Sequence, residues 1–409
     1  MPNLHPISNT MRRDSKKAVD LFCGCGGISA GLNMAGYEII SGVDIEKHYI
    51  STFKHNFPSA AALTESITDI SPAEFARRIG VKSEELDLLA GGPPCQGFSK
   101  NVPRKYRYLE DPKNLLVQSF LNYAEYLRPR VILMENVAEM KNGFEGQYTD
   151  EVVTRLEAAG YTVTHAVLNA ADYGVPQRRR RAFFMANREG LSFRVPAETH
   201  EPKVSTQLLF NTPTHVSVWE AISDLPSLVH GEGEEVTPYA TDPASDYQRL
   251  VRNEHGVVRN HVSRYLQPTQ YERLASLQPG QGHKDLPKHL QVKTGYSGAY
   301  GRLTKEMIAP TITRWVFHPG SGRFGHPVDK RVLSIREVAR IQGFPDSYEF
   351  VGTYTQQAGQ LGNAVPPLLA KAIVENLDEQ LHHYRDSSSS VRRSKEIFLS
   401  SEGKLKEIA

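Results

Sequence analysis

The sequence predicts an α/β protein with a mostly parallel sheet and a smaller, irregular second domain. Short apolar runs typical of strands alternate with helical stretches between residues 18 and 186. This alternation is typical of parallel sheets that carry helices on both faces. The pattern weakens after about residue 188, and a chain of 409 residues is long enough for one large domain and one smaller domain.

The regular elements follow from local patterns. Apolar runs predict strands at residues 18–22, 38–43, 86–90, 130–134, 162–168 and 182–186. Helical spacing predicts helices from the glycine-rich turn to about residue 35 and at residues 46–56, 114–127 and 149–159. We therefore assign residues 18–188 to the large domain and residues 1–17 to an N-terminal extension.

The second half is less regular. Residues 189–333 are rich in proline, histidine, glycine and polar side chains, and the segment is too long for a structureless loop within one domain. We predict that it forms the second domain. A helix at 334–341 begins a return to the first domain, a last helix ends near residue 384, and the polar tail 385–409 is predicted to be disordered.

Composition excludes several classes of protein. The net charge is only +2, and no apolar run approaches the roughly 18 residues that span a bilayer. The first 17 residues lack the apolar segment of a secretion signal. Three cysteines cannot build a disulfide framework and no Cys/His cluster has zinc spacing, so we expect a reducing, intracellular compartment and no metal.

Cys95 is the first candidate for chemistry. It lies in the motif Gly-Gly-Pro-Pro-Cys-Gln, directly after a predicted buried strand. Open α/β sheets bind their ligands at the carboxyl ends of strands, and Pro93 and Pro94 restrict the backbone before the thiol. A thiolate held there is a candidate nucleophile. For a lone cysteine, a buried structural role is the alternative.

A glycine-rich turn follows the first strand in the run Asp-Leu-Phe-Cys-Gly-Cys-Gly-Gly at residues 20–27. Glycines allow a ligand to approach the backbone closely. The turn lacks G-x-G-x-x-G and a following Lys-Ser/Thr pair, which argues against a phosphate cradle. Asp44 ends the second strand, where it can accept hydrogen bonds from ribose hydroxyls or act as an ordinary helix N-cap.

Three further motifs contain polar side chains near predicted strand or helix ends. Glu135 follows a strand and can act as an acid or base, or as a salt-bridged loop acid. In the run Gln-Arg-Arg-Arg-Arg, strand alternation places Arg179 and Arg181 on one face, although a solvated basic turn is the alternative. Asn363, in Gly-Asn-Ala-Val-Pro-Pro, is either a cap of the final helix or a residue beside a cofactor.

The order and spacing of these motifs, from residue 18 to about residue 371, resemble the DNA (cytosine-5)-methyltransferase family. The glycine turn, Pro-Pro-Cys-Gln, Glu-Asn-Val, Gln-Arg-Arg-Arg-Arg and Gly-Asn-Ala-Val-Pro-Pro are similar to its signature blocks. A further block, Arg-Glu-x-x-Arg-x-Gln-Gly-Phe-Pro at 336–345, is also similar. The resemblance implies a Rossmann-like, S-adenosyl-methionine-dependent methyltransferase domain with a smaller target-recognition domain.

The resemblance also implies roles for the catalytic candidates. Cys95 would attack C6 of cytosine, because cytosine C5 is a poor nucleophile until a covalent adduct makes it carbanion-like. Glu135 would engage N3 and the exocyclic amine. Arg179 and Arg181 would hold the base and support a nearby phosphate or carboxylate.

The family pattern implies that S-adenosyl-methionine is bound by residues at matching positions. These are Phe22, Gly24, Gly26, Gly27, Asp44, Ile45, Ser66, Ile67, Pro94, Leu116, Asn363 and Val365. One position departs from the family, which usually has an aspartate in a D-I-x-x-I pattern where this chain has Ser66. Either Ser66 substitutes for the aspartate or Asp69 contacts the adenine from another register.

DNA is the implied partner. The reacting carbon is inaccessible in a duplex, so the cytosine must flip into the site. Residues 99–111 would close over it, with Ser99, Lys100, Arg104 and Lys105 meeting the backbone. The stretch Thr-Ile-Thr-Arg at 311–314 resembles the family's DNA-contacting segment, which makes Arg314 a further DNA-binding candidate.

Three other functions fit parts of this pattern. A transfer-RNA methyltransferase of the same fold is associated with a Cys-Phe-Thr motif, which this sequence lacks. A silent DNA-binding relative would lack Cys95 or Glu135, and a nicotinamide oxidoreductase leaves Pro-Pro-Cys-Gln and the four arginines unexplained. The short N-terminal extension and the lack of chromatin-reading modules favour a bacterial or phage-type enzyme. For such an enzyme we expect a monomer in the cytoplasm, with a separately encoded restriction endonuclease as a partner.

Overall fold

The computed structural model describes residues 15–94, 115–141, 147–202, 213–293, 295 and 298–406. Seven strands form one sheet in the order β3-β2-β1-β4-β5-β7-β6. They are β1 (Lys17–Leu21), β2 (Glu38–Asp44), β3 (Ala61–Thr64), β4 (Leu88–Gly91), β5 (Val131–Val137), β6 (Thr162–Asn169) and β7 (Arg180–Asn187). Neighbouring strands are parallel except that β7 runs antiparallel to both β5 and β6. The predicted α/β class and mostly parallel sheet are confirmed.

Helices cover both faces of the sheet. The first domain contains α1 (Gly27–Met34), α2 (Lys47–Asn56), α3 (Pro72–Ile79), α4 (Leu115–Leu127) and α5 (Gln147–Ala158). Phe75, Phe120 and Leu156 from α3, α4 and α5 belong to the core on one face. The core on the other face includes Ile28 of α1 and Ile373 from the last helix, and it continues into the second half of the chain.

The second half consists of short elements. They are α6 (Val218–Ile222), β8 (Val236–Pro238), α7 (Asp246–Val251), β9 (Val257–Arg259), α8 (Pro268–Ala275), α9 (Ile335–Ile341), α10 (Tyr354–Asn363) and α11 (Pro367–Lys406). Strands β8 and β9 form a small antiparallel pair. This agrees with the predicted irregular segment, and α9 begins at a capping box between Ser334 and Glu337, as the sequence pattern indicates.

Buried ion pairs stabilise this irregular half. The Arg340 side chain in α9 is fully buried and is paired with Asp224 and with Asp346, the latter at 2.7 Å. Arg331 donates to both carboxylate oxygens of Glu337 at 2.8 Å. Because isolated buried charges are costly, each of these pairs fixes the position of the segment that carries it.

Several boundaries differ from the sequence predictions. The structure has β3 and α3, which were not predicted. Helix α3 has a Ser71 cap, a proline in its first turn and a left-handed Gly80 after its end. Helix α11 continues to Lys406, so the prediction that the last helix ends near residue 384 is wrong. Among the described residues, no helix combines the length and apolar character needed to cross a membrane.

Candidate active site

A cavity of about 800 Å³ opens at the carboxyl ends of β1, β2, β3, β4 and β5. This is the edge at which open α/β sheets bind ligands. Most of the predicted site residues line it: Phe22, Gly24, Gly27, Asp44, Ile45, Ser66, Ile67, Pro94, Leu116, Glu135, Arg179, Arg181, Arg314, Asn363 and Val365. Within the described part of the chain, no group of histidine, cysteine, aspartate and glutamate side chains could hold a metal ion.

The glycine turn forms one wall of the cavity. Phe22 has a positive φ of 62° and Gly24 one of 55°, so the backbone turns sharply as it leaves β1. A Cβ on Gly27 would lie 2.4 Å from the carbonyl oxygen of Val365, so only glycine lets the return segment approach. Gly26 does not line the cavity, which departs from the prediction. A Cβ added to Gly26 would lie 2.5 Å from the Tyr348 hydroxyl oxygen.

Asp44 fixes this wall from β2. One carboxylate oxygen accepts the Gly24 N–H at 2.9 Å and the other accepts the Glu46 N–H at 2.9 Å. Burial raises the pKa of Asp44, and these two bonds oppose that effect. The N-cap of α2 is Glu46, so the helix-cap alternative for Asp44 is wrong. Each oxygen keeps a lone pair that could accept a further hydroxyl.

Ile45 and Ser66 lie beside Asp44 on the cavity wall. Ile45 is 67% exposed and lines the cavity, so it presents an apolar surface to a ligand there. Ser66 lines the cavity, and its hydroxyl lies 2.7 Å from that of Thr68. Asp69 is absent from the lining and accepts instead from Thr68 at 3.1 Å.

Glu135 and Arg181 form an ion pair inside the cavity. Strand β5 extends to Val137, so Glu135 lies within the strand and not after it. The Arg181 Nε lies 2.8 Å from Glu135 Oε1. Burial raises the pKa of Glu135, and the positive charges of Arg181 and Arg179 oppose this rise. A carboxyl group in this balance can accept or donate a hydrogen bond at a ligand.

Arg179 lines the cavity and also bonds to the backbone around it. Its side chain is almost fully buried and donates to the carbonyl oxygens of Ile312 at 3.0 Å and Gly362 at 3.2 Å. Its Nε is buried without a hydrogen-bond partner among the described residues. Burial lowers its pKa well below the ordinary value. Arg179 therefore joins two segments of the cavity wall.

The predicted nucleophile and loop lie outside the described residues. These are Cys95, Ser99, Lys100, Arg104 and Lys105. The turn that precedes Cys95 is described: Pro93 and Pro94 both line the cavity, and Asn136 Nδ2 donates to the Pro93 carbonyl oxygen at 3.0 Å. Asn136 thus fixes the backbone that leads to Cys95, a role that sequence reasoning missed.

Two other residues were missed by sequence reasoning. Tyr49 of α2 lines the cavity, and its hydroxyl accepts from Asn363 Nδ2 at 2.8 Å. Asn363 is the last residue of α10 and not a cap of the final helix. Gln177 is fully buried and its side-chain oxygen accepts the Ile312 N–H at 2.8 Å. Only the position of Gln177 beside the four arginines could have indicated its importance.

A doubly covered α/β sheet with this cavity defines an enzyme whose site lies at the carboxyl ends of its strands. Residues 16–379 match the family model described as C-5 cytosine-specific DNA methylase. The chain belongs to this family and is a DNA (cytosine-5-)-methyltransferase.

Named relatives are similar over most of their length. The Type II methyltransferase M.DdeI of Desulfomicrobium norvegicum is 34% identical over 399 residues, which cover 92% of each chain. M1.HphI of Haemophilus parahaemolyticus is 33% identical, covering 87% of this chain and 85% of its own. A solved structure of a DNA modification methyltransferase encoded within an E. coli prophage has a TM-score of 0.72 at 25% identity, covering 90% of this chain and all of its own.

Proposed function

We propose that this enzyme methylates C5 of a cytosine within a specific DNA sequence and takes the methyl group from S-adenosyl-methionine. The observation that carries the proposal is the shared cavity. It brings the glycine turn, Asp44 and Ile45 together with Glu135, Arg181 and the turn that leads to Cys95. A donor site and a base site thus share one cavity.

The residues present fit S-adenosyl-methionine. A volume of about 800 Å³ is within the range of ligand pockets, roughly 300–1,000 Å³. Ile45 and Phe22 provide apolar contacts for the adenine, Asp44 provides acceptors for ribose hydroxyls, and Ser66 lies at the position expected to contact the adenine amine. The opposite side is closed by Asn363 and Val365. When bound, S-adenosyl-methionine supplies an electrophilic methyl group to the activated base.

The side chains have distinct tasks in the proposed reaction. The Cys95 thiolate adds to C6 of cytosine, and the resulting negative charge spreads into the ring and makes C5 nucleophilic. Glu135 bonds to N3 and the exocyclic amine, and its raised pKa allows it to share a proton with N3 as charge develops. Arg181 holds Glu135 in place. A water molecule then takes the C5 proton, the electron pair of that C–H bond re-forms the C5–C6 double bond, and the C6–S bond breaks to release the Cys95 thiolate.

DNA must deliver a flipped base to this cavity, because C5 and C6 are stacked inside a duplex. We propose that residues 99–111 close over the base through Ser99, Lys100, Arg104 and Lys105. Residues 189–333 would form the target-recognition domain, between the catalytic domain at 18–188 and the return segment at 334–384. Arg314, at the cavity wall, would contact the DNA near the flipped nucleotide.

The proposed biological role is DNA modification in a restriction-modification system. The relatives M.DdeI and M1.HphI are named as Type II methyltransferases. We propose that this chain acts as a monomer in the bacterial cytoplasm and protects DNA from a separately encoded restriction endonuclease.

Methyl transfer from labelled S-adenosyl-methionine tests the function directly. The purified enzyme is incubated with unmethylated genomic DNA and, separately, with transfer RNA, and both are then sequenced after bisulfite treatment. We expect methylated cytosines at one recurring DNA motif. Label on RNA alone would assign the enzyme to the transfer-RNA branch, and label on neither would contradict the proposed activity.

Two cysteine variants test the nucleophile. Cys95→Ser should bind DNA and S-adenosyl-methionine but lose methyl transfer, because a hydroxyl is far less nucleophilic than a thiolate. Cys25→Ser is the matched control. The Cys25 thiol is buried outside the cavity lining, and burial raises its pKa well above the ordinary value, so it should retain activity. Full activity in Cys95→Ser would exclude Cys95 as the nucleophile.

A further inference from the structure

A row of aromatic rings and arginines runs outward from the cavity wall. The guanidinium of Arg314 lies 5.1 Å from the centre of the Trp315 ring, and the Trp315 and Phe317 rings are 5.6 Å apart. On the far side, the guanidinium of Arg264 lies 4.4 Å from the Phe317 ring. We call these four residues the aromatic row.

The aromatic row is positively charged and has no acidic counterpart. Neither Arg264 nor Arg314 has an ion pair or hydrogen bond with another described residue, and Arg264 Nη1 is buried without a partner. Most other arginines of this half, such as Arg331 and Arg340, are paired with carboxylates. An uncompensated pair of guanidinium groups favours an anionic partner from outside the chain.

Trp315 is the exposed aromatic residue of the row, beside the exposed Arg314. Its side chain is 51% exposed, whereas Phe317 beneath it is buried. A half-exposed indole costs hydration free energy unless a partner covers it, and it presents a flat face for stacking. The cation above it, Arg314, lines the cavity. Trp315 therefore lies at the rim, one residue outside the cavity wall.

The rim is held rigidly at this point. A Cβ on Gly362 would lie 2.1 Å from the backbone nitrogen of Arg314, so α10 packs directly against this backbone. The Ile312 carbonyl oxygen accepts from Arg179, and the Ile312 N–H donates to Gln177. A side chain that must stack on a ligand benefits from a backbone fixed in advance.

We propose that Trp315 stacks on a nucleotide beside the cytosine that enters the cavity, while Arg314 contacts a flanking phosphate. The proposal rests on the proposed function and adds to it a DNA-contacting residue. Every base presents a π face to an indole, and arginine is a common donor to phosphate oxygens. Trp315 would thus contribute to DNA affinity and to the position of the flipped base.

Fluorescence can report on Trp315 alone, because the chain has only two tryptophans. The other, Trp219, is half-buried beneath Lys305 and lies outside the cavity lining. In Trp219→Phe, all indole fluorescence comes from Trp315. The probe is a short synthetic duplex carrying the motif found by bisulfite sequencing. We expect the duplex to quench this fluorescence, and a duplex of permuted sequence to quench it less.

Enzyme kinetics provide an independent measurement. Trp315→Ala should lower kcat/KM for the duplex by about 5- to 100-fold, the range for losing one stacked base. Trp315→Phe should lower it by less, and the Kd for S-adenosyl-methionine should not change in either variant. If the anisotropy of a labelled duplex shows binding to Trp219→Phe while the fluorescence stays constant, the proposal is wrong although the proposed function stands. If no DNA is methylated, the proposed function itself fails. Should Trp315→Ala not fold, the fluorescence measurement decides.

Discussion

Gly362→Ala tests whether α10 positions the DNA side of the cavity. Gly362 is the second-last residue of α10, and an added Cβ would lie 2.1 Å from the nitrogen of Arg314 and 2.3 Å from the carbonyl carbon of Thr313. These are backbone atoms, so no side chain can rotate away. An ordinary contact begins near 3.4 Å, which requires the backbone at 313–314 to retreat. The displacement needed is about 1 Å, and a misplacement of about 1 Å can cost roughly 100-fold in rate.

The displaced segment includes Arg314. Arg179 donates to carbonyl oxygens on both sides of this contact, at Ile312 and at Gly362. We therefore expect kcat/KM for DNA to fall about 100-fold and the free energy of unfolding to fall by about 1–3 kcal/mol, as in other overpacked sites. Methyl transfer to a motif duplex and urea unfolding measure the two effects. Gly359→Ala is the control on the same helix, because its Cβ would meet only the Tyr49 hydroxyl at 3.8 Å. Equal kinetics for the two variants would refute the reasoning.

Two further predictions concern buried charges. Burial raises the pKa of the Asp20 carboxyl group from 3.8 to about 7, although hydrogen bonds from Ser29 oppose this rise. Between roughly pH 4 and pH 7, the folded state therefore binds a proton that the unfolded state has released. Relative to Asp20→Asn, the wild type should therefore lose about 1.4 kcal/mol of stability per unit as pH rises from roughly 4 to 7. Urea unfolding at pH 5, 6 and 7 checks this, and parallel profiles would contradict it. Arg340→Met should cost about 3 kcal/mol in urea unfolding, the low end for a broken buried pair, because Asp224 and Asp346 stay buried but keep Arg252 and Arg336 as partners. Its control, Arg249→Met, breaks an exposed ion pair and should cost less than about 1 kcal/mol, so equal losses would contradict the buried-pair argument.

Strands were predictable from the sequence wherever an apolar run was long and fully buried. Strand β4 is buried at all four positions, and most of β5 is also buried, so both stand out as apolar runs. Strand β3 has only four residues, none fully buried, and gives no such signal. Helix α3 did carry a cap signal, with Ser71 before it and a proline as its first residue, and only three of its eight residues are charged, so this helix was predictable from the sequence but was missed.

The candidate site was predictable as a set of residues but not as a set of contacts. Motif order indicated which side chains line the cavity. The bonds from Arg179 to Ile312 and Gly362 join residues more than a hundred positions apart, and no local pattern encodes them. The hydrogen bond from Asn136 to the Pro93 carbonyl oxygen spans 43 positions and is likewise beyond any local pattern. Such bonds depend on the tertiary fold. The sequence pattern predicts the class of that fold but not its individual contacts.

The contacts of Arg179 have a consequence for how the cavity responds to its ligands. One guanidinium nitrogen bonds to Ile312, beside the predicted DNA-contacting residues, and another bonds to Gly362, beside Asn363 on the proposed cofactor side. Because both carbonyl groups are held by one planar, buried group, the two walls cannot shift independently without leaving a buried donor unpaired. A substitution that moves the backbone at Arg314 should therefore also move Asn363. This rigid connection keeps the proposed donor site and the base site at a fixed separation, which methyl transfer between two bound molecules requires.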